Sequence, residues 1–139
     1  MEIRRLGPGD EAAVHAAAGL FDGPPREDAT RRFLSEPGHH LLFAFEDGRA
    51  VGFVSGVETT HPDKGTEVFL YELAVDEPFR RRGIGSALVR ALADLARERD
   101  CYGMWVAVDH DNEAALATYR STGAEGSPTV AMVWEFQSR

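Results

Sequence analysis

Apolar residues recur along this chain with two spacings, one typical of strands and one typical of helices. The longest strand-like run, residues 68–75, is almost continuously apolar and aromatic, as expected for a buried central strand. Asp76-Glu77-Pro78 ends this run, because proline cannot donate a hydrogen bond to a sheet ladder. After the turn at residues 80–86, one helical face carries Leu88, Val89, Leu92, Leu95 and Ala96. A central strand, a glycine-containing turn and an amphipathic helix are therefore predicted in succession.

Shorter segments with the same two spacings precede and follow this centre. The sequence predicts further strands at residues 1–6, 40–46, 50–57, 103–108 and 130–136, and further helices at 11–20, 26–35 and from 111 or 112 to about 122. Asp47-Gly48 indicates a hairpin turn, residues 59–66 a polar loop, and Gly123 a helix C-terminus. The order β-α-α-β-β-β-α-β-α-β indicates one mixed α/β domain over residues 1–139.

The composition restricts the class of protein. Hydrophobic residues make up 43% of the chain and charged residues 27%, which is ordinary for a soluble globular protein. No apolar run approaches the ~20 residues of a membrane span, and the N-terminus lacks a signal-peptide pattern. The single cysteine, Cys101, cannot form an internal disulfide. We therefore expect a cytoplasmic protein with no membrane partner.

The charge balance bears on the partner. With 15 Lys and Arg against 23 Asp and Glu, the formal net charge is −8, which argues against nucleic acid and is compatible with a cationic small-molecule substrate. Acidic residues are frequent in the segments before the central strand, where they either line a pocket for a polycation or form a solvated surface. They are Asp22, Glu27, Asp28, Glu58, Asp63 and Glu67.

The turn at residues 80–86 has the chemistry of an anion site. The first N–H groups of a helix have no internal partner and carry partial positive charge, and glycine lets a ligand approach the main chain closely. Arg80-Arg81-Arg82 adds donors for phosphate oxygens. A Walker loop is excluded because Gly-Lys-Ser/Thr is absent, and a dinucleotide fingerprint is excluded because Leu88 stands at the third glycine position. We predict that a pyrophosphate binds here.

Two motifs carry a resemblance to a known family. The pattern R-x-x-G-x-G, from Arg80 to Gly85, resembles the acetyl-coenzyme A signature of the GNAT acetyltransferase superfamily, and the run N-x-x-A-x-x-x-Y-x-x-x-G, from Asn112 to Gly123, resembles its segment over the pantetheine arm. The resemblance covers most of the chain. It implies the α/β GNAT fold, a mixed central sheet with helices on both faces and a splayed pair of parallel strands that binds acetyl-coenzyme A. The cofactor-binding residues that it implies are Leu73, Ala74, Val75, Arg80, Arg81, Arg82, Gly83, Ile84, Gly85, Ser86, Asn112, Ala115 and Tyr119.

Within this superfamily the chain resembles the aminoglycoside 3-N-acetyltransferases. The segment Tyr71-Glu72-Leu73-Ala74-Val75, and Asp109 with Asn112-Glu113-Ala114-Ala115, carry that similarity. It implies transfer of acetyl to the 3-amino group of a deoxystreptamine ring by direct attack in a ternary complex. Two alternatives stay open: acetylation of another small polyamine or a peptide amine, and a coenzyme A-binding sensor without turnover.

Acyl transfer to an amine needs a base, because an alkylammonium with a pKa near ~10 is mostly charged at neutral pH. Glu72 and Asp109 are the candidates; alternatively Glu72 forms an ion pair with a nearby arginine and Asp109 only shapes a turn or caps a helix. Amides near Leu73 and Ala74 are candidates for polarising the carbonyl. Tyr119 is a candidate proton donor to the leaving thiolate, with a core aromatic as the alternative.

The other reactive residue types carry no site in the sequence. Cys101 precedes a strand without a positioned base and is predicted to be structural. The histidines lack metal-ligand spacing with Cys101, and Asp109-x-Asp111 lacks the glycine and the final glutamate of a calcium loop, so we expect no metal. Since residues 130–136 supply only one final strand, where many relatives have two, a homodimer that completes the sheet is a further hypothesis.

Overall fold

A five-stranded sheet with the strand order β1-β2-β3-β4-β5 forms the centre of the computed structural model, which describes residues 1–138. The strands are β1 (Glu2–Arg5), β2 (His39–Glu46), β3 (Arg49–His61), β4 (Gly65–Val75) and β5 (Met104–Trp105). The helices are α1 (Glu11–Ala16), α2 (Glu27–Ser35), α3 (Ile84–Glu98) and α4 (Glu113–Ser121), with 3₁₀ turns at Ala18–Leu20 and Glu77–Phe79. None of the helices in this part of the chain is long and apolar enough to cross a membrane.

Strands β1 to β4 pair antiparallel, and only β4 and β5 are parallel. Their parallel pairing stops after Phe69 and Trp105, so the rest of β4 has no partner on that side. The register between β3 and β4 shifts one residue before Glu72. Glu72 lies opposite Ser55 and Leu70 lies opposite Gly56, although Ser55 and Gly56 are consecutive. Tyr71 is the extra residue of this bulge, which bends β4 where it leaves β5. The predicted splayed strand pair is confirmed.

Helices cover both faces of the sheet, as predicted. One core lies under α3 and α4 and contains Leu88, Leu92 and Tyr119 packed against Val54 and Leu70. The other core lies under α1 and α2, and its buried residues are Leu6, Val14, Ala17, Leu34, Leu41, Phe43 and Phe53. Because α3 is amphipathic, its apolar face packs against one side of β4. At the bulge the alternation along β4 shifts by one residue, so a different set of alternate residues faces α3 beyond it.

Local residue chemistry accounts for the turns. Asp47 and Gly48 have φ values of 49° and 79°, the left-handed pair that a two-residue hairpin between β2 and β3 requires. Asn112 caps α4, since its side chain accepts a hydrogen bond from the N–H of Ala115 at 3.1 Å. Asp10 lies at the N-cap position of α1, but its carboxylate accepts instead from the N–H of Gly7 at 2.8 Å. This aspartate fixes the preceding turn rather than the helix amides.

Several predicted boundaries need correction. The predicted strand at 130–136 is wrong, because this segment is exposed and pairs with no strand among residues 1–138. The predicted strand at 103–108 is reduced to Met104–Trp105, since the diverging β4 offers the later residues no partner. The predicted loop at 59–66 is mostly strand: β3 and β4 continue to a turn at residues 62–64. Finally, the first predicted helix divides into α1 and the 3₁₀ turn.

Candidate active site

A gap between β4 and β5 is the centre of the site. Glu72 donates its backbone N–H to Ser55 Oγ on β3 at 3.2 Å, so by strand alternation Leu73 and Val75 direct their backbone groups towards the gap. The carbonyl of Val75 accepts a hydrogen bond from Arg80 Nε at 2.9 Å. Of the two backbone groups of Val75 at the gap, the N–H is therefore the one available to a ligand. Ala74 turns its backbone towards β3. Of the predicted oxyanion donors, Leu73 is therefore placed at the gap and Ala74 is not.

The turn after β4 presents backbone N–H groups to the same gap. Gly83 is the N-cap residue of α3, with a φ of 79° and no side-chain cap. The first helical bond runs from the N–H of Ala87 to the carbonyl of Gly83, so the N–H groups of residues 84–86 have no acceptor among residues 1–138. Arg81 also has a positive φ, of 65°. Two left-handed positions, at Arg81 and Gly83, and the free helical amides form a candidate anion site.

The arginines of this turn are exposed and make no ion pair within residues 1–138. Arg80 is fixed by the Val75 carbonyl, and the Arg82 guanidinium lies over the Phe79 ring at 5.1 Å from its centroid. Cations beside free amides have the chemistry that the predicted pyrophosphate site needs, and that site stays a prediction.

The two glycines of the motif have different surroundings. A Cβ at Gly83 would meet no atom within 4 Å, and the positive φ is what requires glycine there. A Cβ at Gly85 would lie 3.6 Å from Thr118 on α4 and 3.8 Å from Val75. These are ordinary van der Waals distances and Gly85 has no positive φ, so the packing of α3, α4 and β4 does not require glycine at this position.

Helix α4 borders the gap opposite α3. Ser86 Oγ on α3 lies 3.1 Å from Ser121 Oγ on α4, and Arg90 donates to the Ser121 carbonyl at 3.3 Å. Ala115 packs partly buried against the core, and Asn112 uses its carbonyl oxygen as the cap, so its side-chain amide is free to donate. The predicted residues of both motifs thus meet at one rim of the sheet.

Tyr119 fits both of its predicted interpretations, a core aromatic and a candidate proton donor. It is only 9% exposed and belongs to the core under α3 and α4. Burial raises the pKa of the Tyr119 hydroxyl, and this hydroxyl makes no hydrogen bond to another side chain in residues 1–138. A protonated phenol without a partner can donate to a ligand atom, although the ring itself is held by packing.

Glu72 lies on the face of the sheet that α1 and α2 cover. No arginine within residues 1–138 pairs with its carboxylate, so the ion-pair alternative finds no support. Burial, and secondly the nearby carboxylate of Asp22, raise the pKa of Glu72 above its ordinary value. A carboxylate with a raised pKa is a stronger base towards an ammonium proton.

Asp22 lies near enough to Glu72 to affect its pKa, and its neighbour Phe21 is anchored on the sheet. The Phe21 ring stacks on Phe53 of β3 with centroids 4.4 Å apart, which holds the segment after the 3₁₀ turn against the sheet. The sequence placed Asp22 in a general acidic group, and nothing in the pattern indicated its proximity to Glu72. Other members of that group have different partners: Asp28 pairs with Arg26 and Asp63 with Lys64.

Asp109 differs from Glu72 in its surroundings. It is exposed in the loop after β5, and its backbone carbonyl accepts from the N–H of Asn112 at 3.0 Å, which closes the turn before α4. The structure thus supports the turn-forming alternative for Asp109 and gives it no buried neighbour. No group of three potential metal ligands occurs anywhere in residues 1–138.

Aromatic side chains to which the sequence assigned no role in the site lie on β4 and β5 near Glu72. The rings of Phe69 and Trp105 are 4.4 Å apart, and Tyr71 is 5.7 Å from Phe69. Tyr71 is 56% exposed and Trp105 49%, so they form an open aromatic surface across β4 and β5. The sequence signal for this surface was the spacing of two residues between Phe69 and Tyr71 on β4, which the bulge interrupts.

A mixed sheet that opens beside the free amides of a helix N-terminus is the arrangement expected of a coenzyme A-dependent acyltransferase. Residues 12–124 match the family model described as the acetyltransferase (GNAT) family. The chain is 35% identical over 112 residues to the N-alpha-acetyltransferase RimI of Mycobacterium tuberculosis, across 81% of this chain and 68% of that protein. The chain belongs to the GNAT acetyltransferase family and is an acetyl-coenzyme A-dependent N-acetyltransferase.

Solved structures share this fold. An aminoglycoside acetyltransferase from an uncultured soil metagenomic sample, in complex with sisomicin, superposes with a TM-score of 0.88 at 21% identity, over 99% of this chain and 96% of that one. The aminoglycoside acetyltransferase AAC(6')-Iy, in complex with a bisubstrate analogue of coenzyme A, gives a TM-score of 0.82 at 22% identity, over 96% and 97%. At these identities the comparison establishes the fold.

Proposed function

We propose that this enzyme acetylates an amine of an aminoglycoside, at the 3-amino group of the deoxystreptamine ring. The observation that carries the proposal is the half-buried carboxylate of Glu72 beside the gap between β4 and β5, near enough to Asp22 for that carboxylate to raise its pKa. Two carboxylates without an arginine partner attract a substrate that bears several ammonium groups. The net charge of −8 favours the same class of substrate.

Acetyl-coenzyme A supplies the acetyl group as a thioester, and the residues of the turn fit its pyrophosphate. The free N–H groups of residues 84–86, with Arg81 and Arg82, hold the phosphates. The N–H groups of Leu73 and Val75 hold the pantetheine arm and the thioester carbonyl at the gap, and the side-chain amide of Asn112 binds the same arm from α4.

Glu72 is the base in this proposal. It accepts a proton from the substrate ammonium, directly or through water, and the freed amine becomes the nucleophile. The Leu73 N–H donates to the carbonyl oxygen as charge develops there. Tyr119, which burial keeps protonated, donates to the departing sulfur. Asp109 holds the turn before α4 and contributes negative charge at the rim.

Replacement of Glu72 with glutamine tests the base directly. Glutamine keeps the size of the side chain and removes the proton acceptor, so kcat should fall by about 10²-fold or more while the Kd for acetyl-coenzyme A stays unchanged. Asp109→Asn is the matched control and should retain most of the activity. Undiminished turnover in Glu72→Gln would remove Glu72 as the base.

A peptide N-terminal amine is the second candidate substrate. The sequence similarity to RimI, named as an N-alpha-acetyltransferase, favours it. The open aromatic surface of Tyr71 and Trp105 could receive apolar peptide side chains, whereas an aminoglycoside would use the carboxylates. Competition between gentamicin and a peptide for one site separates these two candidates.

A further inference from the structure

Two arginines from different segments lie over one aromatic ring in the turn that follows β4. The Arg82 guanidinium is 5.1 Å from the centroid of the Phe79 ring, and the guanidinium of Arg49, the first residue of β3, is 5.5 Å from the same centroid. Both distances fall within the reach of a cation–π interaction, about 6 Å. Phe79 therefore attracts two cations that come from distant parts of the sequence.

The backbone and the core hold this ring in place. The N–H of Phe79 donates to the Asp76 carbonyl at 2.8 Å and closes the 3₁₀ turn, while the N–H of Asp76 donates to the Val51 carbonyl on β3 at 2.8 Å. The Phe79 ring is partly buried and packs against the core under α3 and α4. A ring fixed in this way is a rigid support for a long and flexible cation.

The two arginines over the ring differ in whether their charge is already paired. Arg49 Nη2 lies 2.6 Å from the Asp76 carboxylate. Arg82 has no carboxylate partner in the part of the chain that the structure describes, residues 1–138. The charge of Arg82 is therefore available to an anion, whereas that of Arg49 is neutralised.

Contact with the ring leaves the hydrogen-bond donors of Arg82 free. A cation–π contact uses the face of a guanidinium, and its N–H donors lie in the plane, where they can bind phosphate oxygens. Arg80, in the same turn, instead uses its Nε for the Val75 carbonyl. Arg82 directly precedes Gly83, the N-cap residue of α3. An arginine that is already ordered at this position loses less side-chain freedom on binding an anion than one that is free in solvent.

We propose that Phe79 is a positioning residue, which orders the Arg82 guanidinium for the pyrophosphate of acetyl-coenzyme A before the cofactor binds. Phe79 touches none of the reacting atoms and acts through Arg82. The inference rests on the proposed role of Arg82 at the phosphates, and it is independent of which amine is acetylated. If Phe79 only filled space against the core, its effect on cofactor affinity would not depend on Arg82.

A double-mutant cycle on the binding of acetyl-coenzyme A tests this coupling. Phe79→Leu keeps an apolar side chain against the core and removes the ring face, so the Kd measured by calorimetry should rise about threefold. In an Arg82→Ala background the same change should leave the Kd unchanged, because the residue through which Phe79 acts is absent. Phe79→Tyr keeps the ring and should retain the wild-type Kd. Phe45→Leu removes a comparable ring, which Arg4 overlies at 4.7 Å from the centroid, and is the control without effect on the Kd.

The outcomes separate this inference from the proposed function on which it rests. Arg82→Ala should itself raise the Kd about tenfold. Unchanged affinity in that variant would remove Arg82 from the phosphate site and overturn the inference with it. A tenfold loss in Arg82→Ala, with an equal effect of Phe79→Leu in both backgrounds, would leave Arg82 in place and overturn the role of Phe79 alone. Tighter binding by Phe79→Leu would also overturn that role, since the ring would then hold Arg82 away from the phosphates.

A measurement on the cofactor-free protein tests the contact itself. In ¹H–¹⁵N spectra of arginine-labelled protein, the ring current of Phe79 should shift the Nε–H proton of Arg82 upfield, and Phe79→Leu should abolish that shift. The backbone signals of the same spectra show whether the variant is folded. An Arg82 signal at the position of a solvent-exposed arginine in the wild-type protein would contradict the contact and overturn the proposal.

Discussion

The backbone N–H of Glu72 donates to the hydroxyl of Ser55 at 3.2 Å, at the residue where the Tyr71 bulge shifts the β3–β4 register. Ser55 is buried, so this bond takes the place of the regular ladder at the bulge. It holds Glu72 on the side of Asp22 and leaves the Leu73 backbone facing the gap. One buried hydroxyl thus orients both the proposed base and the proposed carbonyl donor.

Ser55→Ala should therefore impair catalysis more than cofactor binding. The change leaves a half-buried N–H without an acceptor, at a cost of about 1–2 kcal/mol in the free energy of unfolding. We expect kcat to fall by about tenfold, while the Kd for acetyl-coenzyme A, measured by calorimetry, stays within about twofold. Ser35→Ala removes an exposed hydroxyl that bonds to the Arg32 carbonyl and serves as the control. An equal loss of cofactor affinity would contradict a specific role at Glu72.

Asp22→Asn should change the pH dependence of turnover. The Asp22 carboxylate, after burial, raises the pKa of Glu72, so its neutralisation lowers that pKa. Because the base acts in its ionised form, the acid limb of the kcat profile should move to lower pH. Asp28→Asn, whose carboxylate pairs with Arg26, should leave the limb in place. A shift to higher pH, or none, would mean that Asp22 does not interact with the base.

Gly83→Ala tests the conformation of the anion site. An added Cβ meets no neighbour, so the expected cost of about 1 kcal/mol in unfolding free energy comes from the positive φ alone. The strained turn should bind acetyl-coenzyme A about tenfold more weakly, as measured by calorimetry. Gly103→Ala, where a Cβ also has open space but φ is not positive, is the matched control.

Folding stability should decrease between pH 7.5 and 5.5 because of His40. This side chain is buried, accepts from Arg5 Nε at 3.2 Å and lies 2.6 Å from Glu58, which also binds Arg99. Burial lowers the pKa of His40 against the opposing effect of the Glu58 hydrogen bond. The unfolded chain therefore binds more protons in this range, and the free energy of unfolding falls as the pH falls.

Urea unfolding at several pH values measures this dependence. His40→Gln should flatten the slope below about pH 6.5, the ordinary histidine pKa, whereas His15→Gln, at an exposed position on α1, should not. A wild-type stability that rises on acidification would contradict a neutral buried His40.

Much of the fold was predictable because local residue chemistry specifies it. The apolar run of β4, the arginines and Gly83 before α3, and the Asn112 cap each act within a few residues of sequence. The hairpin at Asp47-Gly48 belongs to the same class, since two successive left-handed positions need those residue types. The two motifs also meet at one rim, as the crossover helix between parallel strands requires.

The remaining features depend on contacts between distant segments. Asp22 lies near Glu72, and its neighbour Phe21 stacks on Phe53 in another element. The bulge at Tyr71 reflects the register between β3 and β4, which hydrophobic spacing does not specify. The predicted strand at 130–136 has the alternation of a strand but pairs with no strand among residues 1–138, since alternation alone does not specify a sheet edge that will pair with it.

Product identification after incubation with acetyl-coenzyme A and gentamicin tests the proposed function most directly. Thiol release is followed beside simple polyamines and a peptide with a free N-terminus, and the acetylated position is assigned by NMR. The proposal predicts turnover with gentamicin and a product acetylated at the 3-amine. It also predicts that Glu72→Gln loses this turnover. Turnover confined to the peptide would contradict it and identify the second candidate as the substrate class.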